Sequence, residues 1–74
     1  MDIVHIFAVN LKKYRREQGL SQEKLAELSD LHRTYISAVE RERRNICIDN
    51  VGALAAALDI EPYQLFLPLD EDKK

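Results

Sequence analysis

The sequence predicts an all-α protein: one compact domain of five helices, with a helix-turn-helix formed by the second and third. Apolar residues recur at spacings of three and four along most of the chain, and no stretch shows the sustained alternation of a strand. The chain has 74 residues, 46% hydrophobic and 32% charged, which leaves room for a single core. Capping residues punctuate the periodic stretches where helices need to start and stop.

Ile3, Phe7, Leu11 and Tyr14, flanked by Val4 and Ala8, give the first helix one apolar face from about residue 3 to Gln18, and Gly19 fits its C-terminal stop. Ser21 is a good N-cap for the second helix, and Glu23 in its first turn suits the positive helix end. Leu25, Ala26 and Leu28 supply its short apolar face, which ends near Ser29. The third helix is predicted over roughly 33–41, with Ile36 and Val39 turned inward and the other positions free to face outward. A polar link, Arg43, Arg44 and Asn45, precedes the fourth helix, whose face is Ile48, Val51, Leu54, Ala55 and Leu58. Pro62 suits the first position of a short fifth helix through Leu67, which Pro68 ends. Residues 1–69 therefore form the domain, and 70–74, DEDKK, are read as a frayed acidic tail.

Composition excludes several classes of function. One cysteine cannot close an internal disulfide, and His5, His32 and Cys47 match no zinc spacing, so no metal or other cofactor is expected. The longest apolar run, around Val51 to Leu58, is too short to span a bilayer, and Asp2 stands where a signal peptide carries positive charge. The expected location is cytoplasmic. Gly19 and Gly52 stand alone, no nucleophile lies beside a base and no carboxylate pair suggests a pocket, so an enzyme is not expected.

The formal net charge of −2 hides a division. Residues 1–44 hold nine Lys and Arg against seven acids, whereas 45–74 hold two against six. Leu31–Asn45 alone carries four arginines among fifteen residues. A local basic surface can bind phosphates whatever the total charge, because salt screens distant charges beyond about 8 Å.

Two short helices joined tightly, the second with a polar outer face, suit a helix-turn-helix whose second helix enters a DNA major groove. The segments LKKYRREQGLSQEKLAELSDL, HRTYISAVERERRN and VGALAAALDI closely resemble the lambda-repressor-like (XRE or Cro-type) DNA-binding family. Within it, RTYIS followed by ER and RRN, in a short chain without an effector domain, is similar to the controller proteins of restriction-modification systems. Related words also occur in phage-type repressors and antitoxins.

The resemblance implies roles for individual residues. Arg33, Thr34 and Ser37 would read bases: an arginine fork pairs with guanine O6 and N7, a threonine methyl packs on the thymine methyl, and the Ser37 hydroxyl meets a base edge or, alternatively, a phosphate. Gln22, at the start of the second helix, resembles the family's phosphate clamp, and Tyr35, Arg43, Arg44 and Asn45 would add backbone contacts, the alternatives being that Tyr35 covers the edge of the core and that Arg44 reaches into a groove. Arg15 and Glu40 occupy positions where the family often has an ion pair joining the first and third helices. His32 stands where Ser, Thr or Asp commonly caps the third helix, and Cys47 where Ser or Thr caps the fourth; Ile46 replaces a frequent Pro. By default Cys47 is expected to be buried and inert.

The end of the domain suggests self-association. Ile60, Tyr63, Phe66, Leu67 and Leu69 carry more apolar surface than a short terminal helix can cover, which makes them the expected two-fold interface; the alternative for Phe66 is ordinary core packing. One recognition helix reads few base pairs, so selectivity calls for a homodimer on a palindromic double-stranded operator, with half-sites about 34 Å apart. The expected protein is an autoregulating transcription factor without a small-molecule effector, and the resemblance admits RNA polymerase as a further partner. A protein-interaction module on the same scaffold is the rival from another class. It gives no reason for Gln22, Arg33, Thr34, Arg43 and Arg44 to occur together.

Overall fold

The fold is built on four α-helices and a terminal 3-10 turn: α1 is Ile3–Glu17, α2 Gln22–Ser29, α3 Arg33–Glu40 and α4 Ile48–Leu58, followed by Pro62–Phe66. The computed structural model describes residues 2–69, so the acidic tail lies outside the described residues. Among the described residues no strand occurs and no helix is long and apolar enough to cross a membrane.

Local signals act where the sequence puts them. The Asp2 carboxylate accepts from the His5 N–H and caps α1, while Gly19 takes φ +71° just beyond its end. The Ser21 hydroxyl accepts from the Lys24 N–H and caps α2. Helices α2 and α4 stop at Asp30 (φ 61°) and Asp59 (φ 59°), short polar residues that tolerate the left-handed region. His32 and Cys47 are the N-caps of α3 and α4, and neither side chain makes a capping bond.

The core forms where the helix faces converge. Phe7 and Leu11 of α1, Leu25 of α2, Ile36 and Val39 of α3 and Leu54 and Leu58 of α4 are at most 2% exposed, as is Leu65 of the terminal turn. Each such side chain stabilises the fold by roughly 1.5–3 kcal/mol, so the buried stripe, more than helix propensity, holds these short helices.

Four expectations need correction. The fifth helix is a five-residue 3-10 turn and not an α-helix. Pro62 has no N–H, Leu67 before Pro68 is extended, and the reciprocal bonds of Glu61 and Gln64 close the turn before a 4-residue ladder can form. Leu28 is 49% exposed, its expected inward place taken by Ser29. Ile48 is 85% exposed, because the first turn of α4 extends beyond the neighbouring helices. Cys47 is exposed, not buried, since it sits at that same free helix end.

Candidate nucleic-acid interface

A helix turns about 100° per residue, so burying Ile36 and Val39 directs Thr34, Ser37 and Arg41 to the opposite face of α3. The turn at Asp30, Leu31 and His32 fixes this rotation, since the Leu31 N–H bonds the Ala26 carbonyl at 3.0 Å and its side chain packs on the core. Arg33 and Thr34 are exposed in the first turn of α3, and Ser37 and Ala38 are half-buried one turn on. The Arg33 guanidinium makes no ion pair or hydrogen bond among the described residues, which leaves its donors available.

One flank of α3 carries Tyr35 and Arg44. The tyrosine ring packs against the core, and the Arg44 guanidinium lies 5.4 Å from its centroid. This stack brings a cation from the link after α3 back beside the helix. His32, Thr34, Tyr35, Arg44 and Asn50 line a common cleft of about 420 Å³. The Tyr35 hydroxyl is buried with no hydrogen-bond partner among the described residues. Arg43 and Asn45 are exposed on the same link.

The other flank carries Glu40. Arg15 donates from Nε to its Oε2 at 2.6 Å and from Nη2 to Oε1 at 3.0 Å, and the Gln22 amide donates to Oε1 at 3.0 Å. The carboxylate thus fixes the side chain at the first position of α2. The Gln22 and Glu23 backbone N–H groups belong to the unpaired start of α2, where an anion is favoured.

The residues expected at a dimer interface fall into two sets. Ile60 and Phe66 pack on their own core, Phe66 with its ring centroid 5.3 Å from that of Phe7. Tyr63 and Leu67 are 65% and 40% exposed, and Leu69 is half-buried. A residue missed in the sequence organises this segment: Asn10 is 3% exposed, and its amide donates to the carbonyls of Leu65 and Leu67, both at 3.0 Å. A polar residue between Phe7 and Tyr14 on the apolar face of α1 was the available signal. A second missed contact joins His5 Nδ1 to Glu42 Oε2 at 2.7 Å, linking α1 to the segment after α3.

Comparison with known proteins fits this arrangement. The helix-turn-helix family model HTH_3 matches residues 11–65. The chain is 52% identical over 59 residues to control protein C.SmaI of Serratia marcescens, spanning 80% of this chain and 70% of that protein. The crystal structure of the hypothetical transcription factor NHTF from Neisseria superposes with a TM-score of 0.89 at 47% identity, over 95% of this chain and 80% of that one. The restriction-modification controller protein C.Esp1396I, crystallised as a tetramer with its natural 35 base-pair operator, gives 0.82 at 35% identity, over 89% and 87%. The chain belongs to the lambda-repressor-like (XRE-type) helix-turn-helix family of DNA-binding transcription regulators, and it resembles the restriction-modification controller proteins.

Proposed function

We propose that this protein is a homodimeric, sequence-specific regulator that binds a palindromic operator in its own promoter, as a restriction-modification controller. The observation that carries the reading is the first turn of α3. Arg33 and Thr34 are exposed there with free donors, between the Tyr35–Arg44 stack and the Glu40–Gln22 contact. On this reading Arg33 reads guanine, Thr34 and Ser37 add neighbouring contacts, and Gln22, Arg43, Arg44 and Asn45 hold the backbone, with Tyr35, its hydroxyl buried, acting through the Arg44 it stacks on.

The exposed Tyr63 and Leu67, held beside α1 by Asn10, support a two-fold interface with Leu69 at its edge and Ile60 and Phe66 beneath. Two copies would present their recognition helices about 34 Å apart, one turn of B-DNA. The similarity to C.SmaI and to the operator-bound C.Esp1396I supports the controller assignment. Occupancy would follow protein concentration, and contact with RNA polymerase would make an occupied operator activating.

The test is selection of bound duplexes from a randomised library by the purified protein near physiological salt, because nonspecific binding fades with salt while base readout persists. A two-fold symmetric motif that recurs upstream of the protein's own gene is the expected result. Recovery of no motif by folded protein overturns sequence-specific regulation and leaves the interaction module as the reading to pursue.

A further inference from the structure

Helix α1 carries three cations that the contacts described above do not use. Lys12, Lys13 and Arg16 fall within one turn of each other, on the face that also presents His5, Ala8 and Val9. Lys13 and Arg16 are exposed and Lys12 is half-buried. None of the three makes an ion pair among the described residues, although carboxylates are near. Glu40 is occupied by Arg15 and Gln22, Glu42 bonds His5, and Glu17, one turn from Lys13, forms no pair. Like charges one turn apart on a helix repel, so this ridge is suited to an external anion.

Its position says which anion. The ridge shares a cleft of about 390 Å³ with Glu40 and Glu42 and so borders the C-terminal end of α3. On α3, Tyr35 and Glu40 are five residues apart, about 140° around the axis, and they flank the buried stripe on opposite sides. Arg44 adjoins the Tyr35 side; Gln22 and the ridge adjoin the Glu40 side. A helix with its side chains is about 10–12 Å across and the major groove about 12 Å wide. A helix that fills the groove has a wall of phosphates on each side.

We infer that Lys12, Lys13 and Arg16 form a second phosphate-binding bank, gripping the DNA strand across the groove from the one held by Arg44. The inference rests on the DNA-binding function proposed above. It favours a nucleic-acid backbone over an acidic peptide because Arg16 offers open charge, Lys13 holds its charge over the Tyr14 ring 5.3 Å from the centroid, and the ridge stands beside α3.

The salt dependence of binding to the duplex recovered by selection tests it, using the whole protein. Each phosphate contact contributes about 0.9 to the slope of log affinity against log salt, so Lys13→Ala/Arg16→Ala makes the slope shallower by about 1.8 per bound protomer. Cognate and scrambled duplexes weaken by the same factor, and Lys13→Arg/Arg16→Lys restores the wild-type slope. Lys13→Gln/Arg16→Gln serves as a second neutral variant if the alanine pair melts early. An unchanged slope in a normally folded neutral variant overturns the ridge and leaves the regulator intact. A loss confined to the cognate duplex also overturns it, by assigning these side chains to base discrimination. If the wild type binds no duplex, the proposed function and the ridge fall together.

Discussion

Arg15 and Glu40 form a buried pair in which the guanidinium donates from Nε at 2.6 Å and from Nη2 at 3.0 Å to the two carboxylate oxygens. The remaining Nη1 donates to the Leu20 carbonyl at 2.8 Å, and Gln22 completes the carboxylate. One side chain of α3 is thereby tied to α1, to the α1–α2 turn and to the first residue of α2. Removing either charge leaves the other buried without its counter-charge, so Arg15→Ala or Glu40→Ala is expected to lose about 3–5 kcal/mol. Arg15→Ala/Glu40→Ala loses much less than the sum of the two. Urea denaturation of the four proteins checks this, and additive losses would show that the pair does not act as a unit.

Arg33 makes no hydrogen bond or ion pair among the described residues, so its proposed role is tested on DNA and not by stability. Arg33→Ala should fold with wild-type stability and lose about 1–3 kcal/mol on the selected duplex, with relaxed preference at one position per half-site. Equal affinity and selectivity in a titration against single-base variants would remove Arg33 from base readout.

The Tyr35 hydroxyl has no partner among the described residues although it is buried. An unsatisfied buried polar group is destabilising, and its removal with the ring retained leaves the Arg44 stack in place. Tyr35→Phe is expected to be as stable as the wild type or up to about 1 kcal/mol more stable. A clear drop in thermal midpoint would mean that the hydroxyl makes a bond in solution.

Cys47 occupies the N-cap of α4 without a capping bond. A serine hydroxyl there can accept from the helix's free N–H groups, so Cys47→Ser should stabilise the protein by about 1 kcal/mol. Asp at His32, the equally uncapped start of α3, should act in the same direction but place negative charge beside the reading face. A calorimetric scan of Cys47→Ser is the direct check, and no rise in midpoint would show that the loop cannot bring the hydroxyl to the helix.

What could be read in the sequence was whatever local geometry dictates. Gly19 tolerates a positive φ, Ser21 caps a helix by reaching three residues ahead, and Ile36 and Val39 set the rotation of α3 by their spacing. Each is decided within one or two turns of chain. The resemblance carried the Arg15–Glu40 pairing, which periodicity alone does not reveal.

The tertiary structure decided the rest, because a periodic stripe says which face of a helix is apolar but not how far neighbouring helices cover it. Leu28 and Ile48 lie on apolar stripes yet remain exposed, since no neighbour reaches the outer face of α2 or the first turn of α4. The role of Asn10 depends on the carbonyls of Leu65 and Leu67, more than fifty residues away, which lie 3.0 Å from its amide. Nothing in the order of the chain sets Lys12, Lys13 and Arg16 apart from other basic residues. Only the packing of α1 against the end of α3 sets them beside that helix, because charge acts through space and the chain's order does not encode that proximity.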